Sequence, residues 1–171
     1  MKQILTLILL IVSLCSCTLK AADALPEYTI KAAYLYNFAL LTDWPENKKS
    51  GNFNLCLYGK DNFGSAINAL EGKMIGDQII TIQAMKDTED VKKCHILFLG
   101  ETDRHKEKRI LEEIVGVPVL IVTDDAKKTN YHILIVHDNE RLAFTINMKA
   151  LKEANLNLSS RLLSLAKQVS P

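Results

Sequence analysis

Three short runs of the chain are apolar on both of their faces, and this limits the fold more than any other feature. Phe53 to Tyr58 sets Phe53, Leu55 and Leu57 on one side against Cys56 and Tyr58 on the other; His95 to Leu99 (HILFL) and Val119 to Val122 repeat the pattern. Successive strand residues point to opposite sides, so a strand with no polar side must be covered on both. Helical segments separate these runs. Thr102 or Asp103 caps one whose outer face is charged (Arg104, Lys106, Glu107, Lys108), whose inner face is Ile110, Leu111, Ile114 and Val115, and which Gly116 stops. Buried strands alternating with helices predict an α/β fold of three layers, a mostly parallel sheet flanked by helices. Ile133 to Val136 and Leu142 to Ile146 flank Asp138-Asn139-Glu140, which predicts a C-terminal antiparallel hairpin at one sheet edge.

The remaining segments fill in around that core. Pro26 suits the first turn of a helix. Ile30, Ala33, Tyr34, Asn37, Phe38 and Leu41 then recur at helical spacing, with Leu35 and Ala39 apolar on the other side, until Trp44-Pro45 ends the helix. Gly59 to Asn62 reads as a turn, Phe63 to Leu70 as a short helix closed by Gly72, and Ile79 to Ile82 as a short strand. Lys149 to Ala154 and Ser160 to Gln168 read as helices, the second capped by Ser159. Ligands on such sheets sit beyond the carboxyl ends of the strands. Those ends are Gly59-Lys60-Asp61, Gly100-Glu101-Thr102 and Thr123-Asp124-Asp125.

The N-terminus sets the compartment. A basic start, Met1-Lys2-Gln3, leads into an aliphatic run from Ile4 to Leu14, and Ala22-Asp23-Ala24 places small residues before Leu25. Residues 1–24 therefore read as a secretory signal peptide, with a run too short to span a bilayer in a mature role. Leu14-Cys15-Ser16-Cys17 also resembles a lipoprotein box with Cys17 as the acylated residue, so a soluble exported protein and a lipid-anchored one both stay open, each outside the cytosol. Residues 25–171 are expected to form one domain. The whole chain's 21 Lys and Arg nearly balance its 20 Asp and Glu, with no basic block, which argues against nucleic acid and a polybasic membrane patch. Export also changes the cysteine argument: Cys56 and Cys94 remain in the mature domain, and an oxidising compartment favours a disulfide between them over two buried free thiols. Metal-ligand spacing is absent.

No chemistry-bearing constellation completes itself. Gly59 and Gly64 have the spacing of a phosphate loop, but Ser65-Ala66 stands where Lys and Ser/Thr are needed. Asp124-Asp125 reads as a solvated turn rather than a phospho-acceptor. His132 and His137 face opposite ways on one strand, His105 sits on a charged helix face, and His95 starts a strand; all four read as ordinary surface or core histidines. Gly-x-Ser-x-Gly is missing. The chain reads as no enzyme and needs no cofactor. Asn37, Asn147 and Arg161 are polar residues embedded in apolar segments. They either cap and pin these elements or form a small cleft for a ligand or partner peptide.

The order of segments resembles the YfiR-like family. Lys31-Ala32-Ala33-Tyr34-Leu35-Tyr36-Asn37-Phe38 running to Asp43-Trp44-Pro45 is similar to its entry motif. Phe53 to Gly59, Cys94 to Phe98, Phe144-Thr145-Ile146-Asn147 and Leu156 to Leu163 are similar to later ones. The resemblance implies a periplasmic, non-catalytic α/β protein that holds down YfiN, an inner-membrane diguanylate cyclase, and is sequestered by the lipoprotein YfiB. The chain would then tune cyclic-di-GMP signalling; the alternative is a periplasmic small-molecule-binding sensor or carrier. One departure stands out. The family usually carries Gly-Gly before the hairpin, whereas this chain reads Lys127-Lys128-Thr129-Asn130-Tyr131-His132, so a reshaped loop is expected. A second cysteine pair of some members is also absent.

Overall fold

The computed structural model describes residues 27–86 and 90–171. The signal peptide expected at residues 1–24, with Cys17, and Pro26 lie outside the described residues. In chain order the elements are α1 (Glu27–Leu40), β1 (Thr42–Asp43), β2 (Phe53–Tyr58), β3 (Met74–Ile75), β4 (Gln78–Met85), β5 (Ile96–Leu99), α2 (Arg104–Glu113), β6 (Leu120–Thr123), β7 (Ile133–Asp138), β8 (Arg141–Asn147), α3 (Met148–Glu153), β9 (Asn157–Leu158), α4 (Ser160–Leu165) and β10 (Gln168–Ser170).

The main sheet runs β10-β8-β7-β6-β5-β2-β4-β3. Strands β4, β2, β5, β6 and β7 are parallel; β8 turns back antiparallel against β7. The doubly covered strands behave as their sequences require. Phe53, Leu55, Ile96, Phe98, Leu120 and Val122 enter one apolar cluster with Leu35 and Phe38 of α1. Cys56, Tyr58, Leu97, Leu99 and Ile121 enter a second one with Ile110 and Ile114 of α2. Three layers result, with α1, α3 and α4 below the sheet and α2 above it. Asn139, at φ 55°, turns the β7–β8 hairpin, a left-handed angle that Asn tolerates better than most residues.

Several elements differ from expectation, each for a local reason. In α1 the buried residues are Lys31, Ala32, Leu35, Phe38 and Ala39, while Ala33 and Asn37 face outward. The expected face is shifted rather than absent: it shares Phe38 with the buried one, and Tyr34 and Leu41 pack at its edge, but the centre of the buried stripe runs through a lysine. Residues 63–70 form only a short 3₁₀ turn, Ile67–Leu70. The strand expected at Ile79 extends from Gln78 to Met85, because β2 offers parallel partners from Ile80 to Met85 and β3 antiparallel ones at Gln78 and Ile79. The last helix stops at Leu165, and Gln168–Ser170 forms β10, parallel to β8. β1 and β9 pair in a separate small ladder. Cys56 and Cys94 are joined by a disulfide, with Cα atoms 5.9 Å apart.

Candidate functional site

Chain direction diverges at β2 and β5: β2 leads outward to β4, and the chain then crosses back to β5. In a doubly wound sheet a crevice opens at such a point. Here the two loops close it. Lys60 N–H donates to the Glu101 carbonyl at 2.8 Å, and Glu101 N–H returns a bond to the Lys60 carbonyl at 3.0 Å. Glycines permit the approach. A Cβ on Gly59 would lie 2.7 Å from the Glu101 oxygen, and one on Gly100 only 2.2 Å from the Lys60 oxygen. The two glycines of the failed phosphate motif therefore have separate uses: Gly59 lets the loops touch, and Gly64 supplies a left-handed turn at φ 52°.

Beside this bridge a cleft of about 640 Å³ opens over the ends of β2, β5, β6 and β7. Phe98, Ile135 and Leu142 line its apolar part; Lys60, Asp61, Glu101, Asp125 and His137 stand among its polar walls. The first turns of α1 form the remaining side. Lys31 is buried there with its Nζ 2.5 Å from Glu27 Oε1 and 2.6 Å from Asp124 Oδ2. The ammonium also lies 4.2 Å from the Tyr28 ring centroid, a cation–π contact. Burial alone would lower the Lys31 pKa, but the hydrogen bonds to Asp124 and Glu27 outweigh it and hold the amine above its ordinary range. The Lys31 bond in turn holds Glu27 below the usual carboxylate range. Asp124 is thus no solvated turn residue: its side chain is 19 % exposed and anchors α1 to the end of β6.

Among the described residues no Ser, Thr or Cys side chain lines the cleft, and Lys31 is ion-paired with Glu27 and Asp124. Such a wall can bind and orient a molecule through ionic and apolar contacts. Among the described residues no group of three or more His, Cys, Asp or Glu is arranged to hold a metal ion.

The three residues singled out from sequence fall elsewhere. Asn37 is exposed and its amide donates to the Ala33 carbonyl one helical turn back, at 2.8 Å. Asn147 caps α3, its Oδ1 accepting from Ala150 N–H at 3.1 Å. Arg161 is exposed in the first turn of α4, the helix that Ser159 caps. None of them lines the strand-end cleft. Lys31 was missed by sequence reasoning; its signal is a charge four and seven residues before Leu35 and Phe38, on the buried stripe itself.

The histidines divide sharply. His95 Nδ1 accepts from Asn54 N–H at 3.0 Å, so Nε2 carries the proton donated to the Lys48 carbonyl at 2.7 Å. Burial lowers its pKa. His132 Nδ1 accepts from Ile121 N–H at 2.9 Å, and burial pushes this ring down to about 4. Lys48 is also buried. Its amine, lowered to about 8 by burial, donates to the carbonyls of Lys92 and Cys94, both at 2.7 Å, and so fastens the segment that carries the disulfide.

The sequence profile of the YfiR/HmsC-like family matches residues 28–167, which takes in every layer of this fold and both halves of the cleft. The chain belongs to the YfiR/HmsC-like family. No curated protein sequence matches it. The YfiR/HmsC-like segment begins at Tyr28, within the α1 turn that carries Lys31, and ends at Lys167, immediately before β10. Within it, the loop without Gly-Gly needs no left-handed backbone. Among the described residues only Asn139 and Asn155 combine a side chain with positive φ, and neither lies between Lys127 and His132.

Proposed function

We propose that this protein is a non-enzymatic cell-envelope regulator that represses a membrane diguanylate cyclase of the YfiN type by binding the cyclase's periplasmic domain, and that a YfiB-like lipoprotein can sequester it. The observation that carries this reading is the family match across residues 28–167. Two features support it. A cleft whose buried lysine is already held by two carboxylates suits binding rather than bond making. The leader and the Cys56–Cys94 disulfide suit an oxidising compartment outside the cytosol. In this reading residues 1–24 are removed on export, or Cys17 is lipidated.

Deleting the gene should raise cellular cyclic-di-GMP, and complementation should restore the parental level. An unchanged level under envelope stress and under reducing conditions would remove the cyclase reading. A second reading, a periplasmic small-molecule sensor, draws on the strand-end cleft of about 640 Å³. Thermal stabilisation of the purified protein by a metabolite library would favour it, and Lys60→Glu together with Asp61→Lys should then abolish the shift.

A further inference from the structure

Val115 is 80 % exposed, the most exposed large hydrophobic residue among those described. It stands where two cavities of about 620 Å³ each meet. One lies between the C-terminal end of α2 and α3, walled by Ile114, Tyr131 and Ala150. The other lies between the outer side of α2 and the segment from Lys127 to Asn130. They share Leu111, Val115, Thr129 and Asn130, so they form one continuous groove.

The groove is built before anything enters it. Lys128, nearly buried, donates to Glu107 at 2.7 Å and ties the loop to α2. Lys128 N–H bonds the Asp125 carbonyl at 3.1 Å, and at the other end His132 N–H bonds the Ile121 carbonyl at 3.0 Å. A preformed groove spares an incoming segment much of the ordering cost. Once the neutral Lys128–Glu107 pair is set aside, Arg104, Lys108, Lys127 and Lys149 face Glu112 and Glu153, four cations against two carboxylates. The half beside α3 is lined by Ile114, Val119, Ile121 and Tyr131, Leu111 and Val115 carry that apolar strip into the other half, and the rim holds an excess of cations.

We propose that this groove is the docking surface for the regulated partner, and that its occupant is an acidic segment of that partner with a stripe of apolar side chains. The inference rests on the reading of this protein as a partner-binding regulator and names the surface it would use. The apolar stripe enters between α2 and the 127–131 loop, against Leu111, Val115 and Tyr131. Carboxylates flanking that stripe meet the lysines and Arg104, which favours encounter and register more than raw affinity. An anionic bilayer would also answer the rim charge, but a flat surface cannot reach Leu111 or Ile114 between the walls of a groove.

The test uses the mature protein and a fluorescent synthetic helix about four turns long, with leucines at helical spacing and glutamates elsewhere; its control carries lysines for the glutamates. The glutamate peptide should bind at least ~10-fold more tightly than the lysine peptide, and added salt should weaken it. Val115→Asp and the pair Lys127→Glu with Lys149→Glu should each cost ~10-fold or more, with unchanged thermal melts because all three residues are exposed. Equal binding of both peptides, variants without effect, or displacement of the peptide by phosphatidylglycerol vesicles would overturn the proposal. The cyclase's periplasmic domain is then added as competitor. If it displaces the peptide, both readings are supported. If it binds without displacing the peptide, the groove falls and the regulator stands. If the peptide binds as expected and the cyclase domain does not bind at all, the cyclase reading falls and the groove's chemistry stands.

Discussion

A methyl group at position 100 would stand 2.2 Å from the Lys60 carbonyl oxygen, where only backbone could give way. Moving that backbone breaks the reciprocal bonds between Lys60 and Glu101. Gly100→Ala should therefore cost about 3 kcal/mol, at the upper end of overpacking penalties, read as a shift of the urea midpoint. Gly64→Ala is the contrasting case. It has open space around it and pays only for its left-handed φ, about 1 kcal/mol. His132 sets a pH dependence. Its folded pKa, about 4, lies below the unfolded value near 6.5, so the unfolded chain takes up protons first as pH falls. Stability is then full above about pH 6.5 and declines toward pH 4, by up to about 3 kcal/mol from this residue. His95, also lowered, acts in the same direction. His132→Asn keeps an acceptor near Ile121 N–H and should flatten part of the acid limb in urea titrations at stepped pH; an unflattened limb would assign the effect elsewhere. At this scale the sequence was least legible. The glycines that matter for contact cannot be told from those that merely turn. A buried Lys31 is unreadable without Asp124, which lies 93 residues away along the chain.

Sheet edges carry the consequences at the scale of elements. β4 is covered by β3 only at its start, through Met74–Ile79 and Ile75–Gln78 pairing. Further along, Ile82 N–H is capped by the Glu71 carboxylate at 2.8 Å. A charge seated on an exposed edge both satisfies the donor and repels an incoming strand. Glu71→Ala should leave the melting temperature nearly unchanged while increasing self-association at high concentration, seen by light scattering; a monodisperse variant would show that the edge needs no guard. At the opposite edge β10 covers β8. The strands that are apolar on both faces were legible in the sequence because burial on two sides leaves no polar position. β10 was not: three residues carry no period, and the extended turn of backbone at Ala166 (φ −70°, ψ 138°), which ends α4, has no glycine or proline to announce it. The stripe of α1 was misread for the opposite reason, since its ion-paired lysine disguised an otherwise regular pattern.

For the whole molecule, layer count, parallel sheet and hairpin followed from alternation of apolar runs, whereas the strand-end cleft could be placed but not furnished. Its charges come from four separate segments, and spacing along the chain does not report which of them meet. The disulfide acts at this scale too. It joins residues 38 apart in sequence, within β2 and just before β5. In the chain-entropy model closing that loop stabilises the fold by about 4 kcal/mol. Reduction should then lower the melting temperature by roughly 10 °C for a chain of this size. Calorimetry with and without reductant reads this directly, and an unshifted transition would mean that the bond contributes little to the fold.

The same covalent link makes a closed ring of everything from Cys56 to Cys94, including all of β3 and β4. A protease that cuts once inside that ring opens it without releasing a piece. The nicked chain still migrates as one band on a non-reducing gel and separates into two only after the sulfurs are reduced. In a compartment full of proteases, a single cut there would leave a bound complex whole, whereas a cut after Cys94 would part the chain's backbone outright.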